Sequence, residues 1–593
     1  MRFLSILSAL ALGVTAICQA EQKPNIVIVI TDDQGYGDLS CHGHPSLKTP
    51  ALDKLASESV RLDDYHVAPT CSPTRCALLT GHWTNRTGVW HTIMGRSMLR
   101  ENEVTVGTIF KNAGYATGMF GKWHLGDNYP FRPEDRGFSE VLRHGGGGVG
   151  QTPDYWDNAY FDDTYFYNGK PEKTEGYCTD VFFNYAKKFV AKQVEEKKPF
   201  LAYISTNAPH GPNHAPPEYA EPYLEQYGES VAHFFGMIAN IDDNVKWMRE
   251  FLEEQGVADN TIFIFTTDNG TASGRKAFDG GMRGAKGSEY DGGHRVPFFI
   301  HWPKGELTGG RMVDTITAHV DVVPTLIDLC DVPAPENVKF DGVSIRPLMD
   351  ESAKDWPDRI LVTDSQRVKD PIKWRKSSVM TNQWRLVNEK ELYDIEKDPK
   401  QEKNIAADHP EVVARLTKFY NEWWAEIEPT FGEPARIIIG NDAENPSRLT
   451  SHDWITEGSV PWNQRHIRNA DAKPGNIGFW FLKVDQDGEY EIEIRRWPKE
   501  GEVATESIVA AIAAGEDVPG VQAFRAVPGE AIKGAKTARI IISGEEKSVD
   551  VPEGADHVTF KLPLKAGPNQ LEAHFLSENG DVTGAYYAYI KRL

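Results

Sequence analysis

Several short stretches carry residue types that could do chemistry together. Asp32-Asp33 and Asp268-Asn269 offer only oxygen ligands. Three carboxylates and one amide suit a hard cation, Ca²⁺ ahead of Mg²⁺, and suit Zn²⁺ poorly. Cys71 opens the run Cys71-Ser72-Pro73-Thr74-Arg75-Cys76-Ala77-Leu78-Leu79-Thr80-Gly81. Pro73 suits the first turn of a helix and Gly81 its end. Cys71 would then sit at a helix N-terminus, where the dipole favours an anion and predicts a thiol of low pKa. Lys122 and His124 share Gly121-Lys122-Trp123-His124, and His210 closes Asn207-Ala208-Pro209-His210. Lys286 lies among closely spaced glycines, which suit a backbone that must approach a ligand.

Regular elements must carry these residues to one place. Asp32 and Asp33 follow the all-apolar run Ile26–Ile30, and Lys122 and His124 follow Ala116–Phe120. His210 follows Phe200–Ser205, and Asp268 and Asn269 follow Thr261–Phe265. Such runs predict strands covered on both faces, with one more at Val296–His301. Helical spacing of apolar residues from Phe234 to Leu252 predicts a helix between strands. Its Asp242-Asp243 pair reads as surface acid. The alternation predicts an α/β domain with a mostly parallel sheet. Ligands of such sheets sit beyond the carboxyl ends of the strands, so distant residues converge there.

The domain plan expected is a leader at 1–20, a catalytic α/β domain at 21–310, a smaller subdomain at 311–438 and an accessory β-sandwich at 439–593. In the subdomain, Glu391–Pro399 reads as strand then turn and His409–Ile427 as an amphipathic helix. In the tail, Phe479–Val484 and Tyr490–Trp497 flank Asp485-Gln486-Asp487-Gly488, a pattern that predicts a β-hairpin. Further strand patterns complete the sandwich. No low-complexity linker precedes it, so it is expected to pack on the enzyme.

The Cys71-x-Pro73-x-Arg75 spacing resembles the signature of type I sulfatases, in the alkaline-phosphatase superfamily, where the cysteine is oxidised to formylglycine (3-oxoalanine). The other motifs follow in the family's order, and the chain looks like secreted bacterial polysaccharide sulfatases. The resemblance implies a central mixed, mostly parallel sheet flanked by helices, then a short antiparallel sheet with one long helix. It implies one Ca²⁺ held by Asp32, Asp33, Cys71, Asp268 and Asn269. It also implies catalytic roles for Cys71, Arg75, Lys122, His124, His210 and Lys286. Lys122 and Lys286 would clamp sulfate oxygens, His124 would act as a base, and His210 would protonate the leaving alcohol. Arg75 would bind the aldehyde hydrate or help hold the metal-bound group. A formylglycine-generating or sulfatase-maturing enzyme must act on Cys71 first. Cys76 is the one departure, at a position where a small residue such as Ala is common.

The chain has 593 residues and a formal net charge of -22. It should repel nucleic acid and anionic lipid on average, and a sulfate-ester enzyme of this charge must concentrate cations in a pocket. Residues 1–20 read as a secretory signal, with Arg2, an apolar Phe3–Ile17 and Cys18-Gln19-Ala20, and imply a secreted or periplasmic protein. No later stretch is long and apolar enough for a membrane span. Cys41, Cys71, Cys76, Cys178 and Cys330 form no disulfide framework. Aromatics of the Arg143–Cys178 insertion, among them Tyr155, Trp156, Tyr160 and Tyr165, could face sugar rings or simply pack a loop. The tail adds Trp454, Trp462 and Trp480, and His91 and His144 are weaker candidates for substrate contact. The expected substrate is a sulfated carbohydrate of the fucoidan, carrageenan, ulvan or glycosaminoglycan type. A small aryl sulfate, a phosphonate monoester or a phosphodiester is the alternative.

Overall fold

The computed structural model describes residues 22–469 and 477–593. The expected leader therefore lies outside the described residues. The central sheet has ten strands. In its middle, Thr261–Thr267, Asn25–Thr31, Phe200–Ser205, Ala116–Gly121 and Glu140–Arg143 run parallel side by side. Phe298–His301 pairs antiparallel with Thr261–Thr267, which makes the sheet mixed. The first four of these strands are buried along their whole length, as their largely apolar sequences predict. Helices cover both faces and split the apolar side chains into two cores, so that Ile26, Ile28 and Ile30 face one and Val27 and Val29 the other.

The helix predicted from Phe234 starts earlier, at Pro217, and runs to Glu254 with a break at Gly228 (φ 71°). Its Asp242 is not surface acid. It is buried and accepts from the Leu52 and Ala51 N–H groups at 2.7 and 3.0 Å, so it caps the helix Pro50–Glu58. Asp243 accepts from Tyr219 Oη at 2.9 Å.

After the central sheet comes the expected small antiparallel sheet. It is formed by Leu361–Asp364, Ser377–Met380, Trp384–Val387 and Glu391–Asp394. The helix Pro410–Ile427 packs on it through Leu416, Tyr420, Trp423 and Trp424. The C-terminal region is two sheets facing one core, with Trp480 and Leu482 entering from one side and Tyr490 and Ile492 from the other. This corrects the predicted hairpin. Phe479–Val484 pairs with Ile437–Ile439 and Gly567–Leu576, whereas Gly488–Arg495 pairs with His557–Leu564 and Tyr587–Arg592. The Asp485–Asp487 turn crosses between sheets. Alternating residues on both strands fill the same core either way, so the local pattern cannot separate a hairpin from an arch. Met98, Phe131 and Trp156 join this core from the rest of the chain, so the tail packs on the part that precedes it.

Candidate active site

The helix Cys71–Thr80 begins at Cys71 and ends on Gly81, whose φ of 72° is the left-handed conformation glycine accepts. Its N-terminus points at the carboxyl ends of the parallel strands. Cys71 Sγ lies 3.4 Å from Asp32 Oδ1 and 4.0 Å from Asp33 Oδ1. Ligand atoms of Asp32, Asp33, Cys71 and His210 all lie within 4.8 Å of one another. Asp268 closes the same cluster, its Oδ1 accepting from the Asp33 N–H at 3.1 Å. Asn269 Nδ2 donates to Asp33 Oδ1 at 2.9 Å, while Asn269 Oδ1 is buried with no hydrogen-bond partner. Three carboxylates and one orphaned buried amide oxygen fit a hard divalent cation.

The carboxylates are matched by cations. Lys122 Nζ donates to Asp32 Oδ2 at 2.5 Å, and Lys286 Nζ lies 2.6 Å from Asp33 Oδ1. Arg75 donates to Asp268 Oδ2 through Nε at 3.0 Å and Nη2 at 2.7 Å. Its Nη1 reaches Lys122 O at 3.3 Å and also Ser205 Oγ. Arg75 thus holds Asp268 and the Lys122 backbone from beneath, and does not face the open pocket. Burial works to raise the Asp33 carboxyl, but Lys286 and His210 outweigh it and hold the group well below the usual range. Asp268 goes the other way, raised by burial and then by Asp32, with Arg75 opposing. The thiol of Cys71 is pushed up to about 12 by burial first and by Asp32 next. This overturns the low-pKa thiol expected from the helix dipole: a fully desolvated sulfur beside carboxylates outweighs one helix end.

The two histidines have fixed ring orientations. His124 Nε2 lies 2.8 Å from Thr92 O and so carries the proton, which leaves Nδ1 as a buried lone pair without a partner. Burial first, and Lys122 next, lower its pKa. His210 Nδ1 lies 2.6 Å from Gly211 O, and its Nε2 is 3.8 Å from Asp33 Oδ2. Burial and then Lys286 lower His210 to about 3. Two glycines make the close packing possible. A Cβ on Gly121 (φ 113°) would lie 1.9 Å from Ser205 O, and one on Gly147 would lie 2.2 Å from His124 Cε1.

All ten sequence-predicted residues therefore meet at one end of the sheet, and a cavity of about 410 Å³ opens above Asp33, Cys71, His124, His210 and Lys286. Its outer wall holds residues that sequence reasoning missed or ranked low: His91, Thr92, Gln151, Arg367 and Trp462. Ser205 was missed as well, although it ends a strand that delivers other site residues. His144 is buried against Gly145 O at 2.9 Å, away from the cavity lining. Tyr160 and Tyr165 pack into one of the two cores of the central sheet, and Trp156, Trp454 and Trp480 lie in the tail core, so the packing reading holds for them.

A family profile described as "Sulfatase" matches residues 24–332, and one described as "N-sulphoglucosamine sulphohydrolase, C-terminal" matches residues 285–424. N-acetylgalactosamine-6-sulfatase of Sus scrofa is 32% identical over 373 residues, 58% of this chain and 69% of that protein. Arylsulfatase A of Homo sapiens is 29% identical over 502 residues, 74% of this chain and 94% of that protein. Among solved structures, Ps i-CgsB in complex with k-i-k-neocarrahexaose superposes with a TM-score of 0.62 at 27% identity, covering 68% of this chain and 93% of the other.

Proposed function

This chain belongs to the sulfatase family and is a sulfuric ester hydrolase, and we propose that it desulfates a sulfated polysaccharide or oligosaccharide outside the cytoplasm. The observation that carries this reading is the cluster itself. Cys71 stands among Asp32, Asp33, Asp268 and Asn269 at the floor of a cavity large enough for a sugar ring as well as its sulfate. One Ca²⁺ and a formylglycine made from Cys71 would supply Lewis-acid chemistry and a hydrated aldehyde nucleophile there. Asp32, Asp33, Asp268, Asn269 and residue 71 are the residues to hold the ion.

The chain's own side chains divide the remaining work. Lys122 and Lys286 flank residue 71 and offset the charge that builds on sulfate oxygens. His124 offers Nδ1 as the proton acceptor, oriented by Thr92 O. His210 offers Nε2 toward the leaving oxygen. The negative charge of a sulfate ester opposes Lys286 at this ring and favours the protonated form a donor needs. Cys71 is 1% exposed, which supports modification by a maturing enzyme before the core closes. The relative that binds a carrageenan oligosaccharide supports the glycan reading. No helix among the described residues is long and apolar enough to cross a membrane.

The test is sulfate release from defined sulfated oligosaccharides, with a small aryl sulfate and the matching phosphate esters alongside. Intact mass at residue 71 is measured on the same sample, where the aldehyde is about 18 Da lighter than the thiol. Faster turnover of phosphate esters, or activity with an unshifted mass, would sink this reading.

A further inference from the structure

The floor of the cavity is balanced, with Lys122, Lys286 and Arg75 each on a carboxylate. Arg367 is different. It lines the cavity, its side chain is exposed, and no carboxylate or hydrogen-bond acceptor pairs with it among the described residues. A chain of net charge -22 repels a polyanion at long range, so a lone cation at the mouth of its cavity has an electrostatic use.

Trp462 forms the wall beside it and comes from a part of the chain beyond residue 424, where both matching family profiles have ended. Its backbone is fixed to the Arg143–Cys178 insertion. Thr152 N–H donates to Trp462 O at 3.0 Å, Thr152 Oγ1 donates to Pro461 O at 2.8 Å, and Asn463 bridges Gln151. The indole is held edge-on by His466 and Phe524, with centroids 5.5 and 6.5 Å away. A half-buried indole clamped in this way is a rigid apolar plate at low conformational cost. Plate and guanidinium together suit a sugar that lays its apolar C–H face on the indole and carries an anion, because the Arg fork matches carboxylate and sulfate-like oxygens.

We propose that Trp462 and Arg367 form a specificity subsite, in which a sugar of the substrate lies against the indole and a second anion, beyond the sulfate being cleaved, meets the guanidinium. The substrate is then a polyanionic glycan bearing either a carboxylate or a further sulfate ester near the scissile one. This rests on the sulfate-ester reading of the Cys71 site.

The experiment measures kcat/KM by sulfate release on three oligosaccharides with the same scissile sulfate: one with a neighbouring carboxylate, one with a neighbouring second sulfate, and one with neither. Wild type should favour one or both of the acidic substrates. Arg367→Gln should lose about 10- to 100-fold on the favoured substrate and less than about 3-fold on the neutral one. The acidic arm that loses more identifies the anion. Trp462→Ala should lose about 10-fold on all three, mainly in KM, with Trp462→Phe restoring most of it. Equal losses across the three substrates in Arg367→Gln, or a wild-type preference for the neutral one, would overturn the subsite. Turnover of a small aryl sulfate with none of the three oligosaccharides cleaved would also overturn it and leave the sulfatase reading standing. Failure on every sulfate ester would remove both.

Discussion

Arg75 and Asp268 make the most exacting test of how the site is built. Both side chains are fully buried, and two guanidinium nitrogens converge on one carboxylate oxygen at 3.0 and 2.7 Å. Arg75→Met removes the cation and leaves Asp268 desolvated beside Asp32 and Asp33, which already act to raise its pKa. Removing one partner of a buried pair costs about 3–5 kcal/mol. Asp268→Asn added to Arg75→Met takes away the stranded charge, so the double variant should be more stable than Arg75→Met alone, with a coupling of about 3 kcal/mol. A chain of this size with several cores does not unfold in one step, so a single global midpoint is the wrong readout. Hydrogen exchange of the strand amides in Asn25–Thr31 and Thr261–Thr267 reports the opening free energy of the sheet that delivers Asp268, the carboxylate left stranded. The measurement is made once with a chelator and once in excess Ca²⁺. A bound dication gives Asp268 another positive neighbour, so the cost of Arg75→Met should shrink in Ca²⁺. A cost below about 1 kcal/mol in chelator, or a double variant that loses the sum of the singles, would refute this electrostatic account.

Four further outcomes are expected. Chelation should abolish activity, and Asn269→Ala should weaken Ca²⁺ binding about 10- to 100-fold by calorimetry, because it removes the one orphaned buried oxygen of the cluster. Gly147→Ala should lower kcat by about 100-fold with the fold intact by circular dichroism, since the new Cβ would sit 2.2 Å from His124 Cε1 and push the ring off Thr92 O. Glu444 bonds Tyr129 N at 3.0 Å and Asn128 Nδ2 at 3.2 Å, and burial, opposed by Arg132, raises its pKa from 4.5 to about 7. A raised carboxyl contributes stability that is full below its unfolded pKa and lost as pH rises through the folded one. Glu444→Gln should therefore flatten the loss of thermal stability between about pH 5 and pH 8, and an unchanged slope would count against the assignment.

The floor of the site was legible because one rule generated it. Four largely apolar runs read as central strands, and residues with chemistry to do follow each of them. Asp242 shows where such reasoning stops. Its partners are the N–H groups of Ala51 and Leu52, about 190 positions away, and nothing local separates it from its exposed-looking neighbour. The Asp485–Asp487 turn failed for a related reason, because the core pattern of the two strands beside it is the same in one sheet or in two.

The outer wall is a harder case, and its illegibility has a physical source. Trp454, Trp462 and Trp480 look alike in sequence. Trp454 and Trp480 fill the sandwich core, while only Trp462 is turned to the cavity, by backbone bonds to Thr152 that lie some 310 residues away. Arg367 follows a strand of the small antiparallel sheet, to which the carboxyl-end rule of parallel sheets does not apply. Most of the floor is thus set by strand ends and one helix start that cannot shift without unmaking a shared core. The wall is set by loops of three separate regions that meet only in the folded chain. Loops on a rigid scaffold tolerate change where strand ends do not. Substitutions in the wall should therefore redirect which glycan is cleaved, whereas substitutions in the floor should remove cleavage altogether.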